Sequence, residues 1–281
     1  MPPITISSSA PPEFTLEGNT VHVWCVSLDL PSSTASALYQ TLSADELLRA
    51  KRFYFSEDRV RFVMCRGTLR SIIATYLGVD PEHLSFEYNE HGKPALAGAA
   101  AKSLIDFSVS HSRRLCLVAV AHNRRIGVDL EHLRPLHEMM QIAESFFSRR
   151  EYSALRCLPC SLREEAFFKC WTRKEAFIKA KGDGLALPLD QFDVSLKSGG
   201  HIALLRTSWD PKEACRWSLM EINPGQGYIG AVAVEGRGLQ TKFRQWSGSG
   251  QMRRDPFHRY RETLPRSAEP AHPCGKGPRC E

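Results

Sequence analysis

Two clusters of ionisable residues in this sequence have spacings that chemistry can use. The first is Asp129 and Glu131, at i and i+2 in the short run Ile126-Gly-Val-Asp-Leu-Glu131, where a strand points both carboxylates to one face. Carboxylates that close repel, and a cation between them relieves the repulsion. Oxygen-only donors suit a hard ion such as Mg2+, which keeps part of its water shell and takes up phosphate oxygens. The second cluster is Trp171–Lys181, which contains no Gly or Pro and reads as helical. There Trp171, Lys174, Glu175, Ile178 and Lys179 fall on one face, so two ammoniums and a carboxylate share a stripe with Trp and Ile. Taken alone, the stripe reads equally as a Glu175–Lys179 surface ion pair worth about 0.3–0.5 kcal/mol, or as a metal-binding carboxylate beside phosphate-binding lysines. An isolated Asp-x-Glu is more often a solvent-facing strand edge. Gly127, which permits close backbone approach, and Glu175 as a third carboxylate favour a site.

The surrounding pattern indicates which elements must carry these groups. Val21–Leu28 reads as a strand ended by Pro31, and Ser43-Ala-Asp-Glu46 as a capping box opening a helix. A long helix is expected over Glu57–Leu77, buried through Val60, Met64, Leu69, Ile72, Ile73 and Tyr76 and stopped by Gly78. Arg59, Arg66 and Arg70 recur on its polar side, a row that usually faces solvent. Leu84–Tyr88 is a strand, and Ile105–Ser112 with Leu115–Ala121 an antiparallel pair. After the Asp129 strand come helices at about Leu136–Phe147, Ser148–Leu155 and Arg163–Lys181. Strands follow over Phe192–Leu196, Ile202–Leu205, Arg216–Ile222 and Tyr228–Val234. Short echoes link the two parts: Asp106-Phe-Ser-Val-Ser with Phe192-Asp-Val-Ser, and Leu117-Val-Ala-Val-Ala with Gly230-Ala-Val-Ala-Val. They favour an α+β fold of two similar α/β halves related by a pseudo-twofold, each a long helix packed on a mainly antiparallel sheet. The active site is expected in the cleft between them. The expected divisions are a mobile start at 1–13, halves at 14–124 and 125–236, and a basic, disordered tail at 237–281.

Composition narrows the function further. At 42% hydrophobic and 24% charged residues, the chain reads as an ordinary soluble globular protein, and no apolar run suggests a membrane span. The net charge of +6 lies in the tail, where ten Lys and Arg stand against four Asp and Glu from Arg237 on; before it, 27 of each balance. A neutral body argues against a nucleic-acid partner. The nine cysteines are odd in number and scattered, several within apolar runs. Cys157 and Cys160 have the spacing of a zinc half-site but no second pair in frame. The pattern suits a reducing cytoplasm.

Gly127-Val-Asp-Leu-Glu131 followed later by Trp171-Thr-Arg-Lys-Glu-Ala-Phe-Ile-Lys179 resembles the paired signature of the 4′-phosphopantetheinyl transferases. The resemblance runs on through His91-Gly-Lys-Pro94, Phe107-Ser-Val-Ser-His-Ser112 and Phe146-Phe-Ser-Arg-Arg-Glu-Tyr152, and the ordered set is similar to the larger, Sfp-type members. It covers about Val21 to Glu235. It implies Mg2+-dependent transfer of the phosphopantetheine arm of coenzyme A to a serine of an apo acyl or peptidyl carrier protein, with release of adenosine 3′,5′-bisphosphate, by a cytoplasmic monomer. By the matching positions it implies Asp129, Glu131 and Glu175 as metal ligands. Lys174 and Lys179 would lie on the phosphates, Lys179 nearest the reacting group, and Glu151 would be the general base. Arg49, Arg66, Gly92, Lys93, Pro94, Ser110 and His111 would bind coenzyme A, with His111 toward the 3′-phosphate. Where members carry a second phosphate-contacting lysine this chain has Glu46, so Arg66 or Arg70 is expected to substitute. Two rivals remain. One is a Mg2+-dependent phosphodiesterase or nuclease, disfavoured by the neutral body. The other is a non-catalytic carrier-binding module, which would be expected to lose a metal ligand.

Overall fold

The computed structural model describes residues 14–16, 18–196, 202–246 and 253–254. The expected N-terminal segment 1–13 and most of the tail lie outside the described residues. In chain order the elements are β1 (Thr20–Ser27), α1 (Ser32–Gln40), α2 (Ala44–Lys51), α3 (Ser56–Leu77), β2 (Phe86–Tyr88) and β3 (Pro94–Leu96). Then come β4 (Ile105–Ser112), β5 (Leu115–His122), β6 (Ile126–His132), α4 (Met139–Phe146), α5 (Arg149–Cys157) and α6 (Cys160–Lys181). The chain continues through β7 (Phe192–Val194), β8 (Leu204–Thr207), β9 (Trp217–Ile222), β10 (Tyr228–Glu235), β11 (Gln240–Trp246) and β12 (Arg253–Arg254). The fold is mixed α+β with mostly antiparallel pairing.

Runs such as Leu115-Cys-Leu-Val-Ala-Val-Ala121 are apolar at every position because both faces of the strand are covered. One sheet has the order β12-β11-β1-β5-β4 and a second the order β6-β10-β9. On one face of the larger sheet, Trp24, Val26, Cys116, Val118 and Val120 pack with Met64, Leu69, Ile72 and Ile73 of α3. On its other face, Val21, Val23, Leu117 and Ala119 meet Ile126, Val128 and Leu130 of β6 and Val232 and Val234 of β10. The alternate residues of the smaller sheet, Leu219, Ile229, Ala231 and Ala233, join Ala176, Phe177 and Ile178 of α6. The layers therefore run α3, large sheet, small sheet, α6.

Several expectations are corrected. The segment after Pro31 contains α1, whose weak pattern hides it; Leu38 docks where Gly67 of α3 has no side chain, since a Cβ there would come within 2.6 Å of Leu38 Cβ. Val60 is exposed, whereas Arg66 and Arg70 are 8% and 0% exposed, so of the arginine row only Arg59 faces solvent. The tail beyond 237 does not begin structureless. Residues Gln240–Trp246 form β11, which pairs in parallel with β1 from Thr20↔Gln240 to Val26↔Trp246. Phe243 and Trp246 also pack on the two hydrophobic clusters flanking the large sheet. Ending the chain at Gly236 would strip β1 of this partner and expose apolar surface. The truncated protein is expected to unfold at clearly lower urea concentration than the full chain. An unchanged midpoint would show that β11 adds nothing to stability.

Candidate active site

Gly127, Asp129 and Glu131 alternate with Ile126, Val128 and Leu130 along β6. The apolar set enters the core between the sheets, so the other set faces α6. Gly127 allows α6 to approach closely: a Cβ there would overlap the Ala176 carbonyl oxygen and the Ala180 backbone nitrogen, and would lie 2.9 Å from Lys179 C. The helix thus crosses the strand where residues 175–179 can reach Asp129. Gly127→Ala is expected to cost roughly 1–3 kcal/mol, the usual range for overpacking, because all three obstructing atoms are backbone. Equilibrium urea unfolding checks this; a neutral effect would mean that α6 can shift freely.

Lys179 Nζ donates to Asp129 Oδ1 at 2.7 Å and to Ser110 Oγ at 3.0 Å, and Ser110 Oγ also bonds Asp129 Oδ1 at 3.0 Å. Asp129 is 6% exposed, and its second oxygen, Oδ2, is buried without a protein hydrogen-bond partner. Such an atom is costly unless a ligand satisfies it. Glu131 accepts at Oε2 from Ser112 Oγ (3.3 Å) and Arg134 Nη1 (3.1 Å). The Glu175 carboxyl lies above its ordinary pKa, chiefly through burial and then through the negative charges of Asp129 and Glu131, with Lys179 opposing. Asp129, Glu131, Glu175 and Lys179 therefore share one electrostatic neighbourhood. Among the described residues, no three acidic, imidazole or thiol groups already converge on a single point.

Beside this cluster opens a cavity of about 580 Å3. Arg49 of α2, Phe62 and Arg66 of α3, the His91–Pro94 turn, His111 of β4, and Glu175 and Lys179 of α6 line it. The turn is built on Asn89, whose Oδ1 accepts from the backbone of His91 (3.1 Å) and Lys93 (2.8 Å). Asn89 Nδ2 donates to Gly182 O just past α6 at 2.7 Å. Gly184, at φ +55°, leaves room for His91, whose Cγ would otherwise be 2.7 Å from a Cβ. Lys93 Nζ donates to Ile126 O at 3.0 Å. Burial brings its pKa down to about 8, aided by Arg125 and opposed by Asp106. His111 is also held below its ordinary range, by partial removal from water and then by Lys179 and Arg61, with Asp58 opposing.

Glu46 has an anchoring role. Its carboxylate takes Arg70 Nε at 2.7 Å and lies 3.5 Å from Arg66 Nε. Arg70 also donates to Pro81 O and Leu84 O at 2.8 and 2.9 Å and does not line the cavity. Arg66 does line it, stacked near Phe62, Phe86 and Tyr88, and its buried Nη1 has no protein partner. Two guanidiniums on one carboxylate leave a positive wall, so Arg66 rather than Arg70 is placed to receive an anion.

Two sequence-predicted residues stand elsewhere. Lys174 is 0% and Glu151 2% exposed, and they form a buried ion pair at 2.8 Å. Lys174 further donates to Leu189 O and Phe192 O, while Glu151 closes the capping box of α5 and accepts from Val194 N. Neither side chain lines the cavity, and each has its polar atoms committed to partners within the core, so the structure places them as a buried counter-ion pair rather than at the site. Both join the core that holds α6 in place. Asn89 and Ser112 are the site-organising residues that sequence reasoning passed over. An Asn heading a tight turn was the available signal for the first.

A cavity walled by Arg49, Arg66, Lys93 and His111 reaches Glu175 and Lys179 beside the Asp129 and Glu131 carboxylates, an arrangement whose charges suit an anionic ligand together with a cation. Residues 125–233 match the 4′-phosphopantetheinyl transferase superfamily, and residues 31–123 match the family described as 4′-phosphopantetheinyl transferase, N-terminal. The chain is 46% identical over 233 residues to 4′-phosphopantetheinyl transferase HetI of Nostoc sp., covering 83% of this chain and 95% of that protein. It is 33% identical over 185 residues to 4′-phosphopantetheinyl transferase Sfp of Bacillus subtilis, covering 66% of this chain and 79% of that protein. The chain belongs to the 4′-phosphopantetheinyl transferase superfamily. The nuclease and binding-module readings find no support in these comparisons.

Proposed function

We propose that this protein moves the phosphopantetheine arm of coenzyme A onto a serine hydroxyl of an apo acyl or peptidyl carrier protein, releasing adenosine 3′,5′-bisphosphate. The observation that carries this reading is the joining of one cavity's cationic wall to the Asp129–Lys179 pair. Arg49, Arg66, Lys93 and His111 would receive the nucleotide phosphates, with Gly92 and Pro94 shaping the turn around them. Lys179 and Ser110 would sit at the reacting end. The site is read as lying between two similar halves, 14–124 and 125–236. In support, α3 and α6 are both 22 residues long, the echoing strands β5 and β10 are each flanked by two strands, and the two matched families divide between residues 123 and 125.

Mg2+ fits the residues present. Asp129, Glu131 and Glu175 offer only hard oxygens, Asp129 Oδ2 is buried and unsatisfied, and the pKa of Glu175 is raised partly by its two acidic neighbours. When bound, the ion would neutralise charge that develops on the pyrophosphate during displacement. Lys179 would add a second positive charge there, fixed by Ser110. The protein is read as a cytoplasmic monomer without a nucleic-acid or membrane partner. No helix among the described residues is long and apolar enough to cross a membrane.

The test is mass spectrometry of several apo carrier proteins incubated with the protein, coenzyme A and Mg2+. A gain equal to the phosphopantetheine arm, lost on chelation, is expected. No gain on any carrier that a known transferase modifies would overturn the reading. Coenzyme A affinity should also weaken as pH rises through about 8, where Lys93 gives up its proton. Losing one charge-assisted contact should cost about tenfold. Lys93→Arg, charged throughout, should remove that inflection in a calorimetric pH series; persistence of the inflection would assign it to another group.

A further inference from the structure

Ser108, Ser110 and Ser112 stand at i, i+2 and i+4 on β4, so they share one face. All three hydroxyls reach β6. Ser108 Oγ accepts from Val128 N at 3.1 Å, and Ser112 Oγ accepts from His132 N at 3.1 Å. The offset of 20 residues is the same at both ends, so the two strands run side by side in parallel. Yet β4 and β6 are edges of different sheets. Serine hydroxyls thus bridge a seam that backbone pairing leaves open, and they satisfy amides on the edge of β6.

The seam also fixes the orientation of each hydroxyl. A hydroxyl has one proton to give. At Ser110 the Lys179 ammonium can only donate, so the serine proton goes to Asp129 Oδ1. At Ser112 the His132 amide can only donate, so the proton goes to Glu131 Oε2. Both carboxylates are therefore held by hydroxyls two residues apart on one strand. Arg134 also reaches Glu131 Oε2, but it is 44% exposed, where screening weakens the contact. Both donors take Oε2, so neither of these contacts occupies Oε1.

We infer that Ser112 is a positioning residue for Glu131, holding that carboxylate in register with Asp129 across the β4–β6 seam. This rests on the proposed role of Glu131 as a metal ligand. Removing a hydrogen-bond partner of a ligand typically costs ten- to a hundredfold in metal affinity. Ser112→Ala should therefore weaken Mn2+ binding by about that factor, read from the electron paramagnetic resonance signal of free Mn2+. The Mg2+ concentration needed for half-maximal carrier loading should rise in step, while KM for coenzyme A stays nearly constant and most of kcat returns at saturating Mg2+. Ser112→Thr keeps the hydroxyl on a β-compatible side chain and should retain parental affinity. In a Glu131→Gln background, Ser112→Ala should have no further effect on Mn2+ affinity, because its action passes through that carboxylate. If Ser112→Ala folds poorly, Ser112→Cys, a weak donor of similar size, gives the same readout. Parental Mn2+ affinity in Ser112→Ala, or a Thr variant as weak as Ala, overturns the inference. If the parent loads carriers and Glu131→Gln loses Mn2+ while Ser112→Ala does not, only this inference fails. If Glu131→Gln also leaves Mn2+ binding unchanged, the assignment of Glu131 fails with it. If the parent loads no carrier, the functional reading fails.

Discussion

Lys174→Met is expected to destabilise the protein by about 3–5 kcal/mol, the cost of breaking a buried ion pair from one side. The ammonium is fully enclosed, 2.8 Å from Glu151 Oε2, bonded to two backbone carbonyls and 4.2 Å from the centroid of Phe192. Methionine fills most of the volume but strands the Glu151 carboxylate, which keeps neutral donors, among them the amides of Ser148 and Val194, and no positive charge in contact. Burial already pushes the Glu151 pKa upward, and the Lys174 charge opposes that push. Without it, the folded-state pKa climbs further above the unfolded value. The native state then binds a proton that the unfolded state has lost, so stability falls as pH rises through the folded pKa and recovers below it. Urea unfolding at several pH values should show the largest deficit near neutrality and a smaller one under mildly acidic conditions. A second substitution, Glu151→Leu, should restore part of the loss by removing the orphaned charge. If Lys174→Met is instead as stable as the parent and only carrier loading collapses, the lysine acts on substrate rather than in the core.

The chemistry was legible wherever it follows from a local period. Asp129 and Glu131 share a face because strands repeat every two residues, and Glu175 and Lys179 share one because helices repeat every 3.6. Once Gly127 is recognised as a close-approach position, bringing these two pairs together requires only that α6 cross β6. Most of the cavity wall lay in short contiguous motifs, and Arg49, Arg66, Gly92, Lys93, Pro94 and His111 all line it. What stayed hidden depends on partners distant in sequence. Glu151 and Lys174 pair across 23 positions, and nothing local distinguishes a buried base from a buried counter-ion. Arg66 and Arg70 lie on what patterning marks as a polar side, and partners distant in sequence, chief among them Glu46 of another helix, explain their burial. The strand Gln240–Trp246 is rich in polar residues because it lies toward the rim of its sheet. Its parallel pairing with β1 leaves no mark in either segment.

Asp129→Asn should leave the fold intact and lower carrier loading by roughly a hundred- to a thousandfold, the loss typical of removing one preorganised electrostatic group. The amide fits the same space and can still accept from Lys179 and Ser110, so the melting temperature should move little. What disappears is the negative charge and the second carboxylate oxygen, Oδ2, buried without a protein partner. Mn2+ binding should be lost together with activity. Lys179→Met should separate the two. Its ammonium lies 2.7 Å from Asp129 Oδ1, so it competes with a metal cation for the same oxygen. Removing it leaves the Asp129, Glu131 and Glu175 charges less compensated, since Lys179 is the cation that lowers the Glu175 pKa. Lys179→Met is therefore expected to bind Mn2+ more tightly than the parent while turning over far more slowly, because the charge that would meet the phosphate is gone. Weaker Mn2+ binding in that variant would show that Lys179 supports the metal ligands rather than competing with the metal. Parental turnover would remove it from the reaction.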